Sequence, residues 1–275
     1  MKIINCLFIQ TLNIIKRKVT TMSASYQQQI KVDHPIYQPE KDRYHLYVSL
    51  ACPWASRCLA TMYLKGLQAA VGVSIVHPTW QRTRPNDPED MHTGWVFNTG
   101  ALPSAGGFGS IAVPRCTLDT VNKADSIRDV YELNKDTFKK YSVPILWDKK
   151  TNSIVNNESA EILRILAKEF DAYATGPYAS YDLYPEALRP VIDAANEWIY
   201  SDINNGVYKC GFAKTQEAYN EAVERLFVAL DRLEELLSHH RYVAGSTLTE
   251  ADIRLLMSLV RFDEVRTCMY MSMCI

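Results

Sequence analysis

The sequence has no C-x-x-C pair, and its seven cysteines, at positions 6, 52, 58, 116, 210, 268 and 274, are odd in number and scattered. That suits a reducing compartment better than a disulfide scaffold and disfavours structural zinc. Nor is there a long run of one charge. Lysine plus arginine number 30 against 31 for aspartate plus glutamate, so no footprint for nucleic acid or anionic lipid is visible and the expected partner is a small molecule. The first 26 residues have no acidic side chain, and their apolar stretch, interrupted by Asn and Gln, is too short to span a bilayer. SAGGFGS at 104–110 is not followed by Gly-Lys-Ser/Thr, so it is no phosphate-binding loop and reads as flexible linkage.

What is present is 275 residues, 47% hydrophobic and 22% charged, enough for one large domain or two modest ones. Lys2, Lys16, Arg17 and Lys18 sit among apolar positions, loosely as in an organellar presequence. Residues 1–34 are read as a disordered extension or an upstream start with Met22 as a second candidate; the expected location is cytoplasmic, or mitochondrial if the basic segment is a presequence.

Residues 44–50, YHLYVSL, have the aromatic and β-branched content of a strand, and 54–65 place Ala55, Leu59, Met62 and Tyr63 at helical spacing. VGVSIV at 71–76 reads as a second strand, which makes a βαβ unit. From His77 to about Asp125 periodicity is lost among Pro78, Pro85, Pro88, Pro103 and Pro114, a long loop of the kind that forms lids or is disordered. A short helix at 126–134, a hairpin at 141–157 turning at Lys149–Ser153, and a helix with Ile162, Leu163, Ile165 and Leu166 as its buried stripe complete the first domain, 35–172. A linker rich in Pro, Gly, Ser and Tyr, 173–186, leads to 187–275, where segments near 187–203, 214–238 and 249–265 are helical throughout. Thr249 and Asp252 form a capping-box-like start to the last.

Within VSLACPWASRCLATMYL, residues 48–64, Cys52 could pack, bind metal or react. Cys6, Cys58, Cys116 and Cys210 read as small buried hydrophobes. Cys52 follows a strand and precedes Pro53, a residue tolerated at the first helical position because its missing N–H has no partner there anyway. Its sulfur then faces unpaired amides and the positive end of a helix dipole, which predicts a thiol of lowered pKa. Ala55 stands where a thioredoxin carries its second cysteine. A mixed disulfide at Cys52 therefore has to be resolved by an outside thiol, and glutathione is the abundant one.

ACPWASR, HPTWQRTRP, SVPILWDK…SIVNNES, NNGVYKCGFA and LTEADIRL…RFDEV resemble, in order and spacing from about Pro35 to Val265, the glutathionyl-hydroquinone reductases, the xi class of glutathione transferases. The resemblance implies a thioredoxin-like α/β N-terminal domain joined to an all-α C-terminal domain. It implies that Cys52 attacks the sulfur of a glutathionyl-hydroquinone and that a second glutathione clears the mixed disulfide, with neither metal nor nicotinamide. Glutathione is then the co-substrate, a glutathionylated aromatic the substrate, and a homodimer among the expected assemblies. Val143, before a cis Pro144, would pair its backbone with glutathione. Glu158 and Ser159, at a helix start, would hold the γ-glutamyl end, although simple capping uses the same two residues. Trp80 and Arg82 would also touch glutathione, the alternative for Trp80 being a core cover. Tyr208 would donate a proton to the leaving ring, whereas Tyr200 is read as packing and Asp252 as a cap.

The resemblance lapses after Val265, where the family has a tyrosine and further helix and this chain reads Arg266 and a Met/Cys-rich tail. An altered C-terminus is expected to bare apolar helix faces and leave marginal stability. Two other functions follow from the same residues: an omega-like thiol transferase or dehydroascorbate reductase acting through the single thiol, and a non-catalytic isoform that binds glutathione.

Overall fold

A computed structural model describes residues 26–104 and 109–273, with side chains through residue 262. Strand β1, Tyr44–Ser49, is buried at all six positions, as befits a strand covered on both faces. It runs parallel to β2, Gly72–Val76, through helix α1, Pro53–Leu64, and antiparallel to β7, Ile145–Asp148, which turns back into β8, Ser153–Asn156. The order β2-β1-β7-β8, with α1 and helix α3 (Ser159–Lys168) packed together, is the mixed sheet of a thioredoxin-like domain. Leu46, Val48, Ala55, Met62, Ile145, Trp147, Ile162 and Phe170 fill its core. Tyr63, expected on the buried stripe of α1, is instead 50% exposed, because its position on the turn faces away from the sheet.

Several buried polar groups of this core are matched, although the Trp147 indole N–H has no hydrogen-bond partner among the described residues. The Tyr44 hydroxyl donates to Gln38 O at 2.7 Å and that of Tyr47 to Asp119 at 3.0 Å. Arg43 grips Asp148 with a two-pronged pair of bonds at 2.9 and 2.7 Å at the end of β1 remote from Cys52. At the far end of α1, Gly66 adopts φ +68°, and a Cβ there would lie 2.1 Å from the Gly176 nitrogen, so the linker crosses where only glycine fits. The fully buried Lys65 seals this crossing by donating to Tyr181 O at 3.1 Å and pairing with Asp171 at 2.8 Å.

Two expectations need correction. Residues 26–34 are not part of an extension: Ile30 is fully buried in the core, Gln27 bridges to Asn156, and the Gln28 amide donates to Val155 O at 3.0 Å. The gain from burying Ile30 and completing the edge of β8 draws this segment onto the sheet; the rest of the expected extension, residues 1–25, lies outside the described residues. The stretch 77–125 is likewise no loose lid. It forms two small ribbons, β3 (Gln81–Arg82) with β4 (Thr93–Gly94) and β5 (Leu102–Pro103) with β6 (Ser110–Ile111). Asp119 pins it by accepting from the amides of Val121, Asn122 and Ala124, while Arg84 and Arg128 tie it to helix α2, Ile127–Leu133, and to Asp90. The glycine-rich segment read as linkage falls between β5 and β6, and residues 105–108 lie outside the described residues.

The second domain is helical. Helix α4, Arg189–Trp198, passes through a π-type turn, Ile199–Asn204, straight into α5, Asn205–Gly211, so the helix expected to end near 203 runs on to Gly211 and carries Tyr208 with it. Helices α6, Gln216–His239, and α7, Glu250–Met273, complete it around Ile192, Trp198, Ile203, Leu226, Leu233 and Leu255. At the start of α7 the Asp252 carboxylate accepts from the Thr249 amide at 2.8 Å, but the Thr249 hydroxyl also turns to Asp252, at 3.0 Å, instead of capping a helix amide. Glu250, fully buried, joins the domains. It accepts from Arg164 of α3 at 2.9 and 2.8 Å, from Asn196 at 3.0 Å, and pairs with Arg254 at 2.8 Å. With that many donors its charge is compensated, and removing Glu250 itself would take from the largely buried Arg254 the carboxylate it pairs with. The side chain of Arg266 lies outside the described residues. Among the described residues no helix is long and apolar enough to cross a membrane.

Candidate active site

Cys52 is the N-cap of α1, with extended backbone (φ −94°, ψ 113°) and Pro53 next to it at the first helical position. It is partly buried, and its thiol points at the Val143 carbonyl, 3.6 Å away, just before a cis Val143–Pro144 peptide. The expectation of a lowered pKa is not met. Burial, the largest influence, pushes the Cys52 thiol up; the amides of Ala55 and Trp54 and the guanidinium groups of Arg261 and Arg57 pull it down without reversing the shift. The amides at the helix start do lower it, but the cost of enclosing the sulfur is larger.

One turn into α1, the buried Arg57 reaches across to the start of α3. Its Nη2 donates to Ser159 Oγ at 2.5 Å and approaches Glu158 at 3.8 Å. Glu158 is the N-cap of α3 and accepts weakly from the Ala160 amide at 3.3 Å, so the capping alternative operates here; its side chain is still 43% exposed. Ser159 is buried, and its backbone carbonyl accepts the Cys58 thiol at 3.3 Å. Two helix starts, those of α1 and α3, are thus stitched side by side through Arg57, and a helix start favours a small anionic ligand.

The other wall comes from the helical domain. The Tyr208 ring lies nearly parallel to Trp54, with centroids 6.1 Å apart and 14° between planes, and Phe212 continues the stack at 6.1 Å and 15°. Tyr200 flanks Trp54 at 5.7 Å but is 53% exposed, so it borders the cleft and does not pack in the core. Burial pushes the Tyr208 phenol up to about 12, the Cys52 sulfur adding to the rise while the Trp54 indole and Arg261 oppose it. Tyr208 therefore keeps its proton across the physiological range and can act as a donor close to the thiol.

The chain matches the family model for the glutathione S-transferase N-terminal domain over residues 51–169 and that for the C-terminal domain over residues 216–271. It is 38% identical to the glutathione S-transferase omega-like 2 of Saccharomyces cerevisiae, over 91% of this chain and 78% of the relative. It superimposes with a TM-score of 0.75 and 35% identity on the Xi glutathione transferase ECM4 of Saccharomyces cerevisiae in complex with glutathione, over 86% of this chain and 77% of that one. The chain belongs to the Xi-class glutathione transferases. This transferase is also 46% identical to the glutathionyl-hydroquinone reductase YqjG of Escherichia coli, over 82% of its own length and 62% of that relative's.

Not every residue singled out in the sequence joins the Cys52 cluster of this transferase. Trp80 is 52% exposed and stands edge-on to Trp95 at 5.4 Å, so it does not cover the core. Arg82 donates through Nη2 to two carbonyls of its own loop, those of Asp87 and, at 3.0 Å, of Asp90. Four residues went unassigned in the sequence: Trp54, Arg57, Phe212 and Arg261. All lie inside quoted motifs, ACPWASR, NNGVYKCGFA and RFDEV, where the signal was present but their direction was not.

Proposed function

We propose that this Xi-class transferase reduces glutathionyl-hydroquinones with glutathione. The thiolate of Cys52 attacks the glutathione sulfur of the thioether. The aryl carbon–sulfur bond breaks, its electron pair goes to the ring carbon, and Tyr208 delivers the proton that completes the hydroquinone. Cys52 is left in a mixed disulfide with glutathione. A second glutathione thiolate then displaces Cys52, giving oxidised glutathione and the free enzyme thiolate, so the two electrons taken by the aryl carbon come from the two thiols that end as a disulfide.

The observation that carries this reading is the aromatic wall of Trp54, Tyr208 and Phe212 standing over a lone N-cap cysteine. A flat ring can slide along such a wall, while the start of α3 offers amides and Glu158 to a γ-glutamyl group. Val143 can lend its backbone to the peptide part, in the manner of an added strand. The 46% identity to the Escherichia coli reductase supports the same chemistry. On this reading the partners are glutathione and glutathionylated aromatics, the role is detoxification or aromatic catabolism, and the setting is a reducing one such as the cytoplasm.

A second reading, an omega-like thiol transferase, is favoured by the 38% identity to the yeast omega-like protein and uses Cys52 in the same way on disulfides. Turnover of a glutathionyl-menadiol substrate should release hydroquinone and oxidised glutathione from the wild-type protein and cease in Cys52→Ala. Equal rates for the two proteins would remove the proposal. Turnover on hydroxyethyl disulfide alone would select the second reading, and glutathione binding without turnover on either would leave a binding protein.

A further inference from the structure

Arg261 sits on α7, in the helical domain, yet two of its hydrogen bonds are made to the other domain. Its Nη2 donates to Leu50 O at 3.0 Å and to Ser56 Oγ at 2.8 Å, while Nη1 returns to Met257 O, one turn back on its own helix, at 2.7 Å. Leu50 lies two residues before Cys52, and the Ser56 amide donates to Cys52 O at 2.9 Å. The guanidinium therefore clasps the segment bearing the reactive sulfur on both sides of it. We propose that Arg261 is a positioning residue of the Cys52 site, fixing residues 50–56 against α7 and supplying the positive charge under which the thiol gives up its proton. The assignment rests on Cys52 being the reacting group.

The groups around Cys52 narrow the choice. Its own helix offers Arg57 and the buried, protonated Cys58; the start of α3 offers Glu158; α5 offers Tyr208; the turn before β7 offers the Val143 carbonyl; and α7 offers Arg261. Two of these are cations, and they differ in what else they touch. Arg57 is paired with the Glu158 carboxylate, which offsets its charge, whereas the described hydrogen-bond partners of Arg261 are two carbonyls and a hydroxyl, all neutral. Among the described residues, then, Arg261 meets no carboxylate, and a guanidinium so placed in a half-buried site acts at closer to full strength on its neighbours than a surface charge does. Both Cys52 and Tyr208 feel it in the direction of ionisation. The arrangement also makes the state of the thiol depend on how the two domains are docked, since the charge arrives from one and the sulfur from the other.

The test is the rate of Cys52 alkylation by iodoacetamide against pH, measured on the full-length protein with no glutathione or substrate present. Arg261→Gln should move the alkylation profile to higher pH and slow alkylation at pH 7 by about fivefold or more. Arg261→Lys, which restores a charge but cannot span two acceptors as a planar fork does, should fall between the two. A folded Arg261→Gln protein whose profile overlies the wild type overturns the proposal. Should the glutamine variant fail to fold, the lysine variant decides alone: slowed alkylation supports the assignment, and wild-type alkylation overturns it. Because no substrate is used, this result is separate from the proposed function. A wild-type protein inactive on glutathionyl-hydroquinones could still show the Arg261 shift, and an active one could lack it.

Discussion

The two turns of helix α1 that carry cysteine differ in kind, though Cys52 and Cys58 are six residues apart. Cys58 is fully buried between α1 and α3, donating to Ser159 O, and burial pushes its thiol up to about 12 despite the neighbouring Arg57. Cys52 is also pushed up by burial, but two amides and two guanidinium groups work against that rise, and part of its surface is open. What separates a packing cysteine from a reacting one on this helix is therefore not exposure alone. It is whether donors are aimed at the sulfur when it carries charge.

The largest effect expected from this contrast is in labelling. In the folded protein at pH 7.5, iodoacetamide should modify Cys52 at least about a hundredfold faster than Cys58, because the thiolate is the nucleophile and Cys58 neither ionises nor meets reagent. Peptide mapping by mass spectrometry after timed quenching measures both sites at once. Unfolding in guanidinium should bring the two rates together. Comparable labelling of both sites in the native protein would show that the second turn opens, and the comparison would break.

How far the contrast was legible in the sequence follows from what each feature depends on. The strand–cysteine–proline–helix order around Cys52 depends only on local chemistry, and so do the hairpin at 145–156 and the helical second half; each is found within a few residues of where periodicity places it. The net direction of the Cys52 thiol depends on how tightly the second domain closes over it, which no local pattern encodes. The same holds for Arg261, read in sequence as one letter of RFDEV, and for Arg82, whose neighbours Asp87 and Asp90 accept it through backbone carbonyls that carry no side-chain signal. Ile30 was missed because one apolar residue in a polar stretch has no periodicity to show.

A smaller effect, and one that sharpens the contrast on the Cys52 side, concerns Tyr208. Its phenol, held up to about 12, is a proton donor at every physiological pH, and only a leaving aryl carbon needs one. Tyr208→Phe keeps the stack on Trp54 and Phe212 and removes the donor. Steady-state turnover of a glutathionyl-hydroquinone should drop by about a hundredfold, the low end for loss of a general acid. Hydroxyethyl disulfide turnover, whose leaving thiolate needs no such donor, should change by less than about twofold. Equal losses on the two substrates would move Tyr208 from proton donation to holding glutathione.

The smallest expected effect belongs to the second turn. Cys58→Ala removes one buried sulfur and should cost about 1–2 kcal/mol of stability, while leaving glutathionyl-hydroquinone turnover unchanged, since the thiol packs in the core and its hydrogen bonds go to the Ser159 and Trp54 carbonyls. Its pH signature is more specific than its size. A thiol held at about 12 in the folded state and near 8.5 when unfolded contributes stability that is whole below the unfolded value and declines as pH rises toward the folded one. The wild type should therefore lose stability to denaturant between about pH 8.5 and the onset of general alkaline unfolding more steeply than Cys58→Ala does. If the two proteins lose it in parallel, Cys58 ionises as readily folded as unfolded, and the second turn is not the dry site its geometry describes.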